Sequence, residues 1–507
     1  MSNWLYGAIE AAIPDRKKTL IELSDGARIS YGEVFDLAGK LAAHLVRRGV
    51  APGDRVAVQV EKSWQNLALH LACLRAGAVY LPLNTAYPLA ELEYFLGDAE
   101  PAVVVARPES AEGVGALCRK IGKATVESLG PNGEGSLLAA AADAKPVPAV
   151  PRGRDDLAAI LYTSGTTGRS KGAMLTHDNL LSNARVLVDY WRFTARDVLL
   201  HALPIFHTHG LFVACNTSLL SGGSMIFLSK FDAGQVMRLL PKATAMMAVP
   251  TFYVRLLQEP GLTREATKHM RLFTSGSAPL LAETHRAFCE RTGHAILERY
   301  GMTETNMNTS NPYDGERIPG TVGFPLPGVE LRVADPESGQ ALPQGEIGVI
   351  EVRGPNVFKG YWRMPEKTKA EFRADGFFIT GDIGMIDARG YVHIAGRAKD
   401  LVITGGYNVY PKEVEMEIDA IVGVVESAVI GLPHPEFGEG VTAVLVCEKG
   451  ASLAEADVLA ALSDRLAKFK QPKRVFFVDE LPRNAMGKVQ KNVLRETYAR
   501  TYARGAA

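Results

Sequence analysis

The chain has 507 residues, enough for roughly two to four domains with sizeable cores. Lys+Arg and Asp+Glu both number 56, so the formal charge of zero excludes a general nucleic-acid or polyanion binder while leaving room for a local basic patch. The 5 cysteines, at 73, 118, 215, 289 and 447, are odd in number, far apart and free of any C-x-x-C, which suits a reducing compartment and small core residues. The amino-terminal stretch carries acids among its apolar residues and has no long apolar core, so a secretory leader is not expected and a cytoplasmic location is.

From the amino terminus, Ser30-Tyr-Gly-Glu33 is a capping box, and Val34, Leu37, Leu41 and Leu45 continue it at helical spacing up to Gly49. Arg55 to Val60 alternates as a strand, Ser63 to Ala76 reads as a helix and Ala78 to Leu83 as a strand. Leu89 to Leu96 is helical again, and Ala102 to Ala106 is apolar throughout. This rhythm predicts an α/β sheet with right-handed crossovers. It continues through the strand Leu157 to Leu161, the helix Asp178 to Trp191, a strand near Val198 to Leu203 and the segment Ala243 to Val249. Leu199 to Leu228 contains no Lys, Arg, Asp or Glu, yet its histidines, Asn216, Pro204 and glycines argue for buried strands and a helix on a polar cavity wall, not a membrane span.

Near residue 320 glycines and prolines begin to punctuate short strands such as Glu330 to Val333 and Gly348 to Val352, so a β-rich portion is predicted over about 320–395. After Gly396 a compact mixed region follows. Its strands are predicted at Ser427 to Gly431, Val441 to Cys447 and Val475 to Val478, with a helix opened by Ser452-Leu-Ala-Glu455 and another at the end.

Five motifs carry the chemistry. Tyr162-Thr-Ser-Gly-Thr-Thr-Gly-Arg-Ser-Lys-Gly172 clusters Thr163, Ser164, Thr166 and Thr167 around Gly165 and Gly168, with Lys171 close behind. Converging N–H groups, hydroxyls and a point charge suit a polyphosphate. The run is not a Walker loop, because Gly168 is followed by Arg169 and Ser170. The second motif, Glu298-Arg-Tyr-Gly-Met-Thr-Glu-Thr305, offers Tyr300 for stacking, Thr303 for a phosphate and Glu304 for Mg²⁺. The third, Thr380-Gly-Asp382, places a carboxylate after a tight turn. The fourth spans Gly396 to Glu415 and the fifth Pro482 to Lys491, with Lys488 following a glycine.

In this order and spacing the five motifs resemble the acyl-adenylate-forming superfamily, which joins acyl-CoA synthetases, adenylation domains of peptide synthetases and beetle luciferases. The resemblance covers essentially the whole chain. It implies an α/β fold with a large amino-terminal region, 1–395, of two α/β subdomains plus the β-rich portion. A hinge at 396–400 and a small mobile α+β domain over 401–507 complete it. It implies two half-reactions as well: a carboxylate attacks the α-phosphate of MgATP, and a thiol then displaces AMP.

By the same resemblance, Thr163 to Lys171 hold the β- and γ-phosphates, Thr303 binds phosphate and Glu304 holds Mg²⁺. Gly276, Ser277, Ala278 and the run Glu298, Arg299, Tyr300, Gly301 and Met302 belong to the ATP or AMP site. Asp382 and Arg397 take the ribose, and Lys488 bridges carboxylate and α-phosphate. Lys399 is the hinge position. Gly405, Gly406 and Tyr407 line the path of the pantetheine arm, where glycines permit close passage. Coenzyme A is the implied thiol. Lys468 and Lys470 lie in a basic run that either meets a nucleotide phosphate or solvates a helix end.

The acyl pocket is expected from Pro204 to Gly210, Leu280 to Arg291 and Asn306 to Asn311. His207, Thr208, Arg286 and Met307 are its candidate residues. His207 and His209 share one face if their segment is a strand; that spacing also suits a metal, but no third ligand is evident. Arg286 is the candidate partner of a second substrate carboxylate. The text around His201 to Val213 and Met302 to Tyr313 resembles bacterial malonyl-CoA synthetases, which implies malonate as the acid and methylmalonate as a side substrate. The alternatives are another short or medium carboxylate, a light-emitting oxidase on the same scaffold, or an inactive nucleotide-binding paralogue. The joint presence of Lys171, Glu304, Asp382, Arg397 and Lys488 argues against the last. Neither nucleic acid nor membrane is an expected partner. A protein lysine acetyltransferase acting on Lys488 is, since acetylation would remove the charge.

Overall fold

The helix Tyr31–Arg47 starts where the sequence predicts. Ser30 Oγ accepts the Glu33 amide at 3.2 Å and Glu33 Oε2 accepts the Ser30 amide at 2.7 Å, so two orphan donors of the first turn are satisfied reciprocally. Val34, Leu41 and Leu45 are buried as its periodicity requires. The computed structural model describes residues 3–122, 124–163, 170–405, 407–463, 465–484 and 487–502. They divide into two units, 1–330 with 352–378 and 331–351 with 379–507.

The first unit contains two sheets. One has seven strands in the order Gly360–Tyr361, Lys171–Thr176, Leu157–Thr163, Val79–Pro82, Arg55–Gln59, Val103–Ala106 and Thr125–Ser128. Val79–Pro82 and Val103–Ala106 are buried along their whole length, as parallel strands covered on both faces are. Lys171–Thr176 runs antiparallel to Leu157–Thr163 and brings Thr163 opposite Lys171. Ser164, Gly165, Thr166, Thr167 and Gly168 of the first motif lie outside the described residues.

The second sheet has nine strands, with Leu272–Ser275 between Ala245–Ala248 and Leu297–Met302, and Asn306–Ser310 beyond. The charge-free segment supplies the strands Val198–His201 and Ser224–Phe227. Between them lie a π-helical turn, His209–Cys215, and the helix Asn216–Ser221. No helix among the described residues is long and apolar enough to cross a membrane. Tyr253, Phe273 and Phe288 are fully buried, and Phe288 meets both other rings edge-on with centroids 5.0 Å apart.

Most of a four-stranded sheet, Glu330–Ala334, Gly348–Arg353, Phe378–Ile386 and Val392–Arg397, falls in the second unit, where the β-rich portion is predicted. That unit also carries a five-stranded sheet built on the long pair Val424–His434 and Gly438–Cys447, with Arg474–Phe477 alongside. The helix predicted to open at Ser452 instead spans Glu455–Leu462. The Asp457 carboxylate accepts the Ala454 amide at 2.9 Å and sets the start there, two residues later than the Ser-x-x-Glu pattern implies.

Phe288 fixes the helix Ala282–Thr292 against the nine-stranded sheet. Phe288→Ala should cost about 3–5 kcal/mol of stability, seen as a lower thermal midpoint; an unchanged midpoint would show that this ring does not anchor the helix.

Candidate active site

In the first unit the phosphate motif joins a lattice of carboxylates and hydroxyls. Thr163 Oγ1 donates to Glu304 Oε1 at 3.2 Å. The Tyr361 hydroxyl lies 3.1 Å from the same oxygen and 2.7 Å from Glu371 Oε2. One phenolic proton therefore serves two carboxylates, with the shorter bond to Glu371. Burial, followed by the negative charges of Glu304 and Glu371, pushes the Tyr361 pKa upward, so it stays a donor.

Lys171 is buried, donates to Glu371 Oε1 at 3.1 Å and sits 4.1 Å above the Tyr361 ring. Burial would raise the Glu371 pKa, but bonds from Lys367 and Tyr361 and the charge of Lys171 outweigh it and hold the carboxyl ionised. Tyr361 and Glu371 were not found from sequence. They follow the motif they support by some 200 residues, and neither stands in a recognisable pattern.

The acyl-side candidates are set by close backbone approach. A Cβ on Gly210 would stand 2.0 Å from the Pro204 carbonyl oxygen, so only glycine lets the chain turn there. His207 and His209 are therefore not two positions of a strand. His207 precedes the π-helical turn, and the His209 amide donates back to its Nδ1 at 3.3 Å. His201 donates from Nε2 to the Gly210 carbonyl at 2.9 Å, which leaves Nδ1 to accept from the buried Lys62 ammonium at 3.1 Å. Burial pushes Lys62 down to about 7, with Cys215 opposing.

His209 is buried, and its Nδ1 lies 3.1 Å from Ser277 Oγ. Burial, then Arg299 and His207, hold its pKa well below the usual imidazole range, so it is neutral. Ser277 adopts φ +70°, a conformation rare for a residue with a side chain and a mark of local strain. Thr208 and Met307 are both buried. Asn183, also missed from sequence, clamps the Met307 backbone in both directions: its Nδ2 donates to the carbonyl at 2.8 Å, and its Oδ1 accepts the amide at 3.2 Å.

The Glu298–Thr305 motif splits by side-chain direction. Glu298 is buried, lies 3.2 Å from His285 Nδ1 and accepts the Gly320 amide at 3.1 Å, so its carboxylate ties helix, strand and loop together. Arg299, its neighbour on the strand, is 3 % exposed and lies against Gly276, where a Cβ would stand 2.0 Å from Nη1. Tyr300, Gly301, Met302 and Thr303 are half-buried, as are Ser277 and Ala278. Arg286 is exposed on the helix Ala282–Thr292, whose buried residues are Thr284, His285, Phe288 and Thr292. The structure does not bring Arg286 to the histidines.

In the second unit Asp382 and Arg397 face each other across paired strands, with Arg397 Nε 2.7 Å from Asp382 Oδ1. Asp382 does not follow a tight turn: Thr380 to Asp382 lie within the strand Phe378–Ile386, where Gly381 adopts φ +71° and the Asp382 amide donates to Thr380 Oγ1 at 3.0 Å. Lys488 is an exposed residue, yet partial desolvation of its ammonium pushes it down to about 8. Arg397 and Lys399 add to that shift, and Asp382 and Asp400 oppose it. The structure thus gathers Asp382, Arg397, Lys399 and Lys488 around one locus. Asp400, beside Lys399, pairs with Arg495 at 2.7 Å.

Gly405 is at φ +57° and its amide donates to the Phe437 carbonyl at 2.8 Å, while Gly406 lies outside the described residues. Tyr407 is largely exposed and stacks on Phe469, with centroids 4.6 Å apart. Lys468 is exposed, and Lys470 pairs with Glu413.

These features define an adenylate-binding enzyme, and comparison with known families agrees. Residues 10–362 match the AMP-binding enzyme family and residues 413–488 the AMP-binding enzyme C-terminal domain. The chain belongs to the AMP-binding enzyme family. A feruloyl-CoA synthase of Amycolatopsis sp is 39% identical over 478 residues, 93% of this chain and 94% of that protein. The malonate–CoA ligase of Arabidopsis thaliana is 33% identical over 538 residues, 94% of this chain and 85% of that protein. The crystal structure of ATP-bound MatB from Rhodopseudomonas palustris is 66% identical with a TM-score of 0.97, covering 99% of this chain and 100% of that one.

If the Tyr361 hydroxyl orders Glu304 and Glu371, Tyr361→Phe should lower kcat/KM for ATP about tenfold, the worth of one hydrogen bond to a charged group. Pyrophosphate exchange measures this, and wild-type rates in the variant would remove Tyr361 from the machinery.

Proposed function

We propose that this enzyme joins malonate to coenzyme A through malonyl-AMP, releasing AMP and pyrophosphate, with methylmalonate as a second substrate. The observation that carries this reading is likeness to malonate–CoA ligases over nearly the whole chain, in a chain that holds Lys171, Glu304, Asp382, Arg397 and Lys488.

In the first step a malonate oxygen attacks the α-phosphorus and the bond to the β-phosphate oxygen breaks, so pyrophosphate departs. In the second the thiol sulfur attacks the acyl carbon, AMP leaves as its phosphate monoester, and the thiol proton passes to solvent. The obstacle in the first step is that one anion must approach another. Thr163 and Lys171 offer a hydroxyl and a cation to the phosphates, as do the residues that follow Thr163. Asp382 and Arg397 take the ribose. Lys488 offers its charge to carboxylate and α-phosphate together.

Glu304 and Thr303 supply hard oxygen ligands of the kind Mg²⁺ prefers. No group of three or more His, Cys, Asp or Glu side chains poised for a metal occurs among the described residues, and Mg²⁺ in nucleotide enzymes relies on one or two carboxylates plus substrate phosphates. When bound, the ion would neutralise phosphate charge.

Tyr407, Lys468 and Lys470 are the candidates for coenzyme A, and Lys399 is the pivot for the region that follows it. Free cysteines at all 5 positions support a reducing, cytoplasmic setting. The exposure of Lys488 supports its modification by a lysine acetyltransferase.

A panel of malonate, methylmalonate, acetate, propionate and ferulate, assayed for AMP and pyrophosphate, should show the highest kcat/KM with malonate. A clear preference for any monocarboxylate would overturn the malonate reading. Within the same assays Lys488→Ala should abolish adenylate formation and spare thioester formation from supplied malonyl-AMP; equal loss of both steps rejects that division.

The pH profile gives a separate test. Lys488 is charged below about 8 and neutral above it, so pyrophosphate exchange should fall as pH rises through that value. Thioester formation should rise instead, because the thiol of coenzyme A ionises there. An exchange rate still climbing well above pH 8 would exclude the Lys488 ammonium as the acting charge.

A further inference from the structure

The peptide unit that leads into Lys488 is held at both of its polar ends by side chains. The Gly487 carbonyl accepts from Arg483 Nη1 at 2.6 Å, and the Lys488 amide donates to Asn484 Oδ1 at 2.9 Å. Main-chain bonds close the same hairpin. The Asn484 amide donates to the Lys488 carbonyl at 2.9 Å, the Gly487 amide donates to the Asn484 carbonyl at 2.9 Å, and Arg483 bridges to Val489 beyond them. Gly487 sits at φ +73°. A glycine has many other backbone states open to it, so this peptide plane is fixed only by what grips it.

The grip is tied in turn to the body of its unit. Arg483 Nη2 donates to Glu426 on the strand Val424–His434, so one guanidinium joins the loop tip to a sheet. On the exit side Lys491 donates to Glu415 Oε1 at 2.6 Å, and that buried carboxylate also accepts the Val429 amide at 2.9 Å. Leu481 and Leu494, which flank the segment, are buried in one apolar cluster with Ile430 and Val444. None of these bonds is made by the Lys488 ammonium. They fix where its backbone starts, and a flexible four-carbon stem needs that origin fixed before its charge can be placed. Arginine suits the task because its planar fork serves two acceptors at once, whereas a lysine offers a point charge.

We propose that Arg483 and Asn484 are positioning residues that hold Lys488 for adenylate formation. This rests on the role proposed for Lys488 and deepens it. The two residues act on backbone placement and leave the charge of Lys488 to Arg397, Lys399, Asp382 and Asp400.

Purified full-length enzyme is compared with Arg483→Met, Asn484→Ala and Glu426→Gln, with Lys488→Ala as the reference. Malonate-dependent pyrophosphate exchange and thioester formation from supplied malonyl-AMP are measured in each. Arg483→Met should lower kcat for exchange about tenfold or more, as for a hydrogen bond from a charged group, and Asn484→Ala about fivefold, as for a neutral one. KM for ATP and for malonate should hold in both, and so should the rate of thioester formation. Glu426→Gln should lower exchange less than Arg483→Met and add nothing to it in the double variant, since the two act through one contact. The pH at which exchange falls should stay at its wild-type value in the Arg483 and Asn484 variants.

Equal loss in both half-reactions makes the hairpin a structural element only and overturns the assignment. So does exchange at the wild-type rate in Arg483→Met and Asn484→Ala, or a loss confined to KM. A displaced pH dependence overturns it too, because Arg483 would then act through its charge. A Lys488→Ala enzyme that exchanges normally would instead defeat the role of Lys488 at its source, and the positioning role with it. Should Arg483→Met fail to fold, Arg483→Lys carries the same test: it keeps a cation for Glu426, gives up the fork, and should show the same selective loss of exchange.

Discussion

The chemistry proposed for this molecule turns on holding positive charge where two anions must meet. A carboxylate and a triphosphate repel each other, and only fixed cations of low mobility can bring them within bonding distance. Four cations are candidates, and they are held differently. Lys171 is paired with Glu371 and lies over the Tyr361 ring. Arg397 is paired with Asp382. Arg299 has no carboxylate among the described residues, and Lys488 is balanced by Asp382 and Asp400 only against Arg397 and Lys399. Pre-pairing orients a cation at little energetic risk but weakens its field. Leaving one unpaired costs stability and keeps its full attraction for a ligand.

This division matches the partners proposed for each. A nucleotide brings several negative charges, its own metal and a ribose, so a cation already tied to a carboxylate still gains from meeting it. A small acid brings one spare charge and few atoms, so its recognition must draw nearly all its energy from one contact. The tyrosine, threonine and asparagine side chains around these cations act as fixed dipoles: Thr163 and Tyr361 on the carboxylates, Asn183 on the Met307 backbone.

Much of this was legible in the sequence, and the part that was not has a physical reason. The alternating strands and helices, the capping box at Ser30 and the glycine-punctuated strands after residue 320 are local signals, and they stand where local chemistry puts them. Glu371 reaches Lys171 and Asn183 reaches Met307 across 100 residues or more, Tyr361 reaches Glu304 across 57, and no spacing rule covers such contacts. Strand periodicity misplaces the histidine pair because the close approach of Gly210 to Pro204, which forces a turn, involves no distinctive side chain. Arg286 lies on the exposed side of its helix. Thr284, His285, Phe288 and Thr292 mark the buried stripe of their helix at offsets of three and four, and position 286 falls on the other side.

Charge and shape set different limits on how narrowly the enzyme can choose its acid. A buried charge pair separates a dicarboxylate from a monocarboxylate by several kcal/mol. Telling malonate from methylmalonate rests on one methyl group, worth only ~1–3 kcal/mol. Met307 has its backbone pinned by Asn183 while its unbranched side chain retains several rotatable bonds. A pinned main chain with an adaptable side chain accommodates a small substituent beside a carboxylate that is rigidly read. The acid's charge is therefore specified far more strictly than its branching.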